Sequence, residues 1–230
     1  MKISLIGYGK MGHAIENAAL LRGHQIVCTI DNQSELETKL PELRNSDVAI
    51  EFSTPATAAG NIRFCLNEGI AIVCGTTGWY DRYDELAELC HNKGGALFTA
   101  TNFSIGMNIM FALNERLAEL MRDRNEYTVN ITETHHIHKL DAPSGTAITL
   151  QQQITENGER SAENVPITSI REGEVPGTHT VCYDSAIDTI TLTHEAHSRE
   201  GLAQGALLAA EFLVGKKGIF TMKDLLKMDR

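Results

Sequence analysis

Ile3-Ser4-Leu5-Ile6-Gly7-Tyr8-Gly9-Lys10-Met11-Gly12 decides how the first half of the chain is read. A short apolar run, 3–6, ends in a glycine turn, and a helix-compatible stretch follows to about Leu21. After Gly23, residues 24–30 read as a second strand ending at Asp31. A G-x-G-x-x-G pattern alone is a weak signal. Here it follows a strand, opens a helix and is answered by Asp31, close to the spacing of roughly 20 residues found in dinucleotide-binding βαβ units. Gly7 would permit the tight turn, Gly9 the approach of a pyrophosphate and Gly12 close helix packing, while the N–H groups at the helix start attract phosphates.

Outward from this unit, strands and helices keep alternating. Residues 48–52, 71–74 and 96–100 read as buried strands, and each runs into a small polar loop: Ser53-Thr54-Pro55, Gly75-Thr76-Thr77-Gly78 and Thr101-Asn102-Phe103-Ser104. Parallel strands separated by helices form a doubly wound sheet, whose ligands lie beyond the carboxyl ends of the strands. Cofactor contacts are therefore expected at Gly7, Tyr8, Gly9, Lys10, Met11, Gly12, Asp31, Gly75, Thr76, Thr77, Ala100, Thr101, Asn102 and Phe103. Asp31 would accept hydrogen bonds from the adenosine ribose and repel a 2′-phosphate. Asn32 follows it, and the nearest downstream cations are Lys39 and Arg44, so NADH is expected in preference to NADPH.

The second half changes pattern. Residues 107–120 are apolar at helical intervals, 127–133 alternate like a strand, and 178–183 and 187–193 are further strands not evenly separated by helices. A helical run over 201–214 closes the chain's main pattern. The expected fold class is α/β: a Rossmann-like doubly wound parallel sheet domain plus a second α+β domain with a mixed or antiparallel sheet. The first spans 1–103, with 200–230 packing back on it; 104–199 form the substrate-binding and oligomerisation domain.

With 230 residues, 42% hydrophobic and 22% charged, the chain can bury real cores and is not disordered overall. A formal charge of −10 excludes wholesale nucleic-acid binding, which needs clustered Lys and Arg, but leaves room for an anionic small molecule at local basic groups. Five cysteines without C-x-x-C spacing fit neither a disulfide framework nor a zinc site. The N-terminal apolar run is too short for a signal sequence, and no stretch approaches the 18 to 20 or so apolar residues of a membrane span. A cytoplasmic protein with no membrane partner is expected.

At the end of the alternating strand stands Glu133-Thr134-His135-His136-Ile137-His138-Lys139. If it stays extended, His136 and His138 share one face and His135 points to the other, so the three imidazoles cannot converge on a metal without a bend. No metal is expected. Asp141-Ala142-Pro143-Ser144-Gly145-Thr146 then leads into a helix-like run, 147–153, so Ser144 or Thr146 can cap a helix whose first N–H groups attract an anion. Lys139 and that helix start together make a carboxylate receptor.

These motifs resemble the 4-hydroxy-tetrahydrodipicolinate reductase (dihydrodipicolinate reductase) family over nearly the whole chain. The resemblance rests on 7–12, Gly75-Thr76-Thr77-Gly78, Thr101 to Gly106 and above all His135 to Thr146. It continues through Arg171-Glu172-Gly173, Gly177-Thr178-His179 and Gly218 to Leu226. It implies an NADH- or NADPH-dependent reduction of a small dicarboxylate in the diaminopimelate route to lysine. Hydride would pass to C4, Lys139 would donate a proton to the adjacent carbon and His135 would be its acid/base partner. His136 and Lys139 would contact substrate, and Ser144, Gly145 and Thr146 would hold a carboxylate. A homotetramer built through the second domain's sheet is implied as well. The chain departs from the family pattern at Asn32, which lacks an adjacent arginine, and at Leu202, where phenylalanine is expected after Arg199-Glu200-Gly201. The open alternatives are another two-domain dehydrogenase acting on an amino or hydroxy acid, and an inactive NAD-binding sensor.

Overall fold

The structure is a computed structural model that describes residues 1–228. Asp229 and Arg230, the end of the segment expected to return to the first domain, lie outside the described residues. The chain divides into two compact units, Met1–Ser104 together with the segment from Glu200 onward, and Ile105–Arg199.

In the first unit the chain runs β1 (Lys2–Ile6), α1 (Lys10–Leu21), β2 (Gln25–Ile30), α2 (Gln33–Thr38), α3 (Leu40–Leu43), β3 (Val48–Glu51), α4 (Pro55–Asn67), β4 (Ile72–Cys74), α5 (Tyr83–Lys93) and β5 (Ala96–Thr99). The strands pair in parallel in the order β5-β4-β3-β1-β2. Helices cover both faces of such a sheet, so β3, β4 and β5 are buried at every position and read as unbroken runs rather than alternating ones. α4 buries Ala58, Ile62, Cys65 and Leu66 along one stripe against them. The strand order reverses between β1 and β3, the switch point at which a ligand crevice forms. Gly7 lies there with φ +87°, and a Cβ on it would stand 2.1 Å from the Phe52 carbonyl oxygen. Only glycine fits that turn.

The second unit comprises α6 (Ile105–Leu120), β6 (Thr128–His135), α7 (Gly145–Gly158), β7 (Ile167–Arg171), β8 (Gly177–Asp184) and β9 (Thr189–Ala196). Its sheet has the order β7-β6-β8-β9; β6 and β7 are parallel and the other pairs antiparallel, so the sheet is mixed. β6 alternates strictly, burying Val129, Ile131, Glu133 and His135. The helices α6 and α7 pack with Val129, Ile131, Val181 and Tyr183 into one core through Met107, Phe111, Leu150 and Ile154. Each such large side chain contributes roughly 1.5–3 kcal/mol on burial. The other face of the sheet carries Thr132, Thr134, Thr178 and Thr180, half-buried.

The chain then re-enters the first unit as α8 (Glu200–Leu213), β10 (Gly218–Phe220) and α9 (Met222–Leu226), and β10 joins β5 as a sixth parallel strand. Four strands differ from the sequence reading. β6 extends two residues beyond the expected 127–133 and so includes His135. The strand expected at 187–193 begins at Thr189, because Ser185 and Asp188 close a tight turn with a 3.0 Å backbone hydrogen bond that leaves Ile187 exposed. β7 and β10 had no counterpart in that reading.

Candidate functional site

The first unit presents a cleft of about 420 Å³ beyond the ends of β1, β3 and β4. Gly9, Lys10 and Met11 border it on one side, and Ser53, Gly75, Thr76 and Thr77 on the other. Gly9 caps α1 without any side-chain hydrogen bond, and no acidic residue stands in the first turn. The helix start thus keeps its attraction for an anion. A Cβ on Gly9 would meet nothing within 4 Å, whereas one on Gly12 would stand 2.5 Å from the Gly7 carbonyl oxygen. Gly9 leaves open space and Gly12 lets the helix close on its own turn. These residues fit a dinucleotide's pyrophosphate.

Asp31, at the end of β2, accepts the Tyr8 N–H at 2.5 Å and so also anchors the glycine turn. Lys39 is engaged with Glu35 at 3.0 Å and the Thr29 carbonyl at 2.7 Å, and Arg44 with Glu68 at 2.5 Å. Both cations thus have acidic partners of their own. The loop after β5 is placed differently from the others: Ala100, Thr101, Asn102 and Phe103 do not line the cleft. Phe103 is buried against Phe52 and Phe98, with ring centroids 5.7 and 5.9 Å away, so that the backbone is what it can offer a ligand. Gly205 on α8 fixes that backbone, since a Cβ there would lie 1.8 Å from the Phe103 carbonyl oxygen.

Beneath the cleft lies a group the sequence reading did not single out. The fully buried Glu51 carboxylate accepts the Ser53 N–H at 3.1 Å, the Asn61 amide at 3.3 Å and the Cys74 thiol at 3.1 Å, and also the Ser53 hydroxyl. Ser53 N–H is shared with Thr76 Oγ1 at 2.8 Å, and the buried Trp79 indole donates to the Thr76 carbonyl at 2.8 Å. One carboxylate therefore ties together two of the loops that border the cleft.

The second unit gathers the other candidates around the end of β6. The strand stops at His135, and His136 to Lys139 form a turn closed by Lys139 N–H on the His136 carbonyl at 3.1 Å. The extended arrangement weighed for the three histidines is therefore not adopted. His135 is buried, His138 exposed, and His136 meets Arg199 at 3.1 Å. Lys139 Nζ pairs with Asp141 at 2.8 Å. Arg171, from β7, clamps this loop by donating to the Lys139 carbonyl at 3.3 Å and the Asp141 carbonyl at 2.6 Å. Ser144 caps α7 by accepting the Ala147 N–H at 3.2 Å, and Gly145 and Thr146 form the first turn that follows.

Glu133, wholly buried, stands behind this group. Its Oε1 accepts the Ser144 N–H at 3.0 Å and Arg171 Nη2 at 3.2 Å, and its Oε2 lies 2.9 Å from His135 Nδ1 and 3.9 Å from His179 Nε2. Burial pushes this carboxyl up, but hydrogen bonds from Ser144, Ser169 and Arg171 outweigh it and hold the group at about 2. Glu133, His135 and His179 set ligand-type atoms within 4.8 Å of one another. The Arg171 guanidinium supplies a counter-charge to the same carboxylate. Glu133, Arg171 and His179 went without roles in the sequence reading; Glu133's place in the inward row of β6, two residues before His135, was the available signal.

Burial, helped by the nearby His135 and opposed by Glu133, pushes His179 down to about 4 from 6.5. A folded value below the unfolded one means the neutral imidazole stabilises the fold above pH 6.5, and this contribution is lost as pH falls towards 4. Its full size is up to about 3 kcal/mol. The urea midpoint should therefore fall between pH 6.5 and 4, and His179→Gln should flatten that part of the curve. An unaltered pH dependence in the variant would place the effect elsewhere.

Residues 1–103 match the family model described as dihydrodipicolinate reductase, N-terminus, and residues 106–226 that described as its C-terminus. The chain is 47% identical to the 4-hydroxy-tetrahydrodipicolinate reductase of Christiangramia forsetii, covering 98% of each. It is 35% identical to that of Thermosipho africanus, covering 99% of this chain and 98% of the relative. Among solved structures, a dipicolinate-bound dihydrodipicolinate reductase from Paenisporosarcina sp. TG-14 shares the fold at a TM-score of 0.82 and 22% identity, over 96% of this chain and 97% of the other. A doubly wound unit with a glycine turn, a mixed-sheet unit with a buried Glu-His cluster and matches over nearly the full length agree: the chain belongs to the dihydrodipicolinate reductase family of oxidoreductases.

Proposed function

We propose that the protein reduces (2S,4S)-4-hydroxy-2,3,4,5-tetrahydrodipicolinate to (S)-2,3,4,5-tetrahydrodipicolinate with loss of water, in the diaminopimelate route to lysine. The observation that carries this reading is the buried His135 at the end of β6 with Lys139 in the turn that follows it, in a chain 47% identical to a relative named for that reaction. The substrate loses its 4-hydroxyl as water, and a bound dihydronicotinamide would supply the hydride taken up at C4 of the unsaturated ring so formed. Lys139 donates the proton to the adjacent carbon, and His135 is its acid/base partner. His136 and Lys139 contact the substrate, while Ser144, Gly145 and Thr146 at the helix start hold one carboxylate. Gly7 to Gly12, Asp31, Gly75 to Thr77 and the backbone of Ala100 to Phe103 bind the cofactor. Absorbance following NADH oxidation with freshly generated substrate tests the whole: absence of turnover rejects it, and cofactor binding without turnover would make the chain an NAD-binding sensor.

NADH is the preferred cofactor. A 2′-phosphate would approach the Asp31 carboxylate, with Lys39 and Arg44 already paired to Glu35 and Glu68. A difference of about 1.4 kcal/mol is tenfold, and kcat/KM for NADH is expected to exceed that for NADPH by about this factor or more. Higher kcat/KM with NADPH would sink the preference.

No helix among the described residues is long and apolar enough to cross a membrane, and all five cysteines are free thiols. Both suit a protein of the cytoplasm. The threonine-bearing face of the second sheet is our choice for the interface of a homotetramer, which the mass in light scattering checks.

A further inference from the structure

Glu133 and His135 lie two apart on β6 and therefore project from the same, buried face. Oε2 and Nδ1 approach to 2.9 Å, off the line of a straight hydrogen bond, so that the contact sets a carboxylate charge beside the ring nitrogen. The carboxylate cannot swing away, because Ser144 N–H and Arg171 hold its other oxygen at 3.0 and 3.2 Å. Both anchors come from segments that also carry site residues: Ser144 caps α7, and Arg171 clamps the loop of Lys139. A fixed anion at Nδ1 selects the tautomer protonated there and leaves Nε2 bare. The space over Nε2 is kept open by Gly177, where a Cβ would stand 3.1 Å from that nitrogen.

We infer that Glu133 is the positioning residue of the site: it holds the proton on His135 Nδ1, so that Nε2 is the nitrogen exchanging a proton with the dicarboxylate substrate. This rests on the reading of His135 as acid/base. Glu133 stays ionised throughout. The proton leaves or joins Nε2 only, and the imidazolium formed in passing is stabilised by the carboxylate 2.9 Å from its other nitrogen.

Imidazole ¹⁵N shifts of the whole protein, with His135→Gln identifying the resonances, read the tautomer directly. The wild type should show Nδ1 protonated and Nε2 bare at neutral pH. Glu133→Gln, a neutral isostere, should move a substantial fraction to the Nε2-protonated form. Its kcat should fall about 10²–10³-fold with KM within about threefold and NADH affinity unchanged. An Nε2-protonated wild type overturns the inference even if the variant fails to fold. A folded variant with a raised KM and intact kcat overturns it too, since Glu133 would then only shape the binding surface. If His135→Gln keeps its kcat, the acid/base reading of His135 itself fails, whichever tautomer is found.

Discussion

Lys139→Ala is expected to lower kcat by about 10²–10⁴-fold, the usual contribution of a positioned proton donor, with NADH affinity unchanged. The loop should survive the truncation, because Arg171 holds it through the main-chain carbonyls of Lys139 and Asp141 rather than through the lysine side chain. What is lost is the ammonium and its 2.8 Å pair with Asp141. That alone does not separate a proton donor from a charge that merely binds a dianion. Lys139→Arg does so: the guanidinium keeps the charge and can grip a carboxylate in bidentate fashion, but with a pKa above about 12 it cannot release a proton at neutral pH. On the proposed mechanism, arginine should bring KM back to within a few-fold of wild type while kcat stays near that of the alanine variant. Steady-state kinetics of both variants decide; restoration of kcat by arginine would make the proton-donor role untenable.

Legibility in the sequence followed how local the determining contacts are. β3, β4 and β5 are buried on both faces and show as apolar runs, and the Gly7 to Gly12 turn carries its own flanking strand and helix. β6 shows as alternation. β10 is three residues long and exists because it pairs with β5, far away in sequence, while β7 is a polar edge strand defined by pairing with β6. The same holds at the site. His135 to Lys139 is a dense local cluster and stands out in one dimension. Arg171 and His179 reach it through sheet register, which sets Arg171 opposite His135 and His179 opposite Glu133. Spacing cannot reveal a parallel register across the whole of α7, nor that the Glu51 carboxylate gathers Ser53, Asn61 and Cys74.

Gly7→Ala and Gly9→Ala should fail in opposite ways, although they are two residues apart in one motif. At Gly7 the backbone has φ +87°, and the new Cβ would lie 2.1 and 2.5 Å from the carbonyl oxygen and carbon of Phe52 and 2.8 Å from Ser53 Cα. All three are main-chain atoms at the end of β3, so no rotamer change relieves the clash. Backbone strain of about 1–3 kcal/mol and overpacking of about 1–3 kcal/mol together give a loss of roughly 2–6 kcal/mol, a large share of ordinary domain stability. Gly9 has φ −85° and ψ −155°, which alanine adopts freely, and its Cβ would meet no atom within 4 Å. The loss of a favourable N-cap residue and the stiffer unfolded chain nearly offset each other at about 1 kcal/mol apiece. Stability should hardly move. The methyl group, however, enters the cleft at the start of α1, where the cofactor's pyrophosphate is proposed to lie, and should raise the NADH Kd tenfold or more. Urea unfolding together with fluorescence titration separates the two: stability of Gly7→Ala at the wild-type level would refute the steric reading. Wild-type affinity in Gly9→Ala would remove the glycine turn from the cofactor site, because that methyl has nowhere else to point.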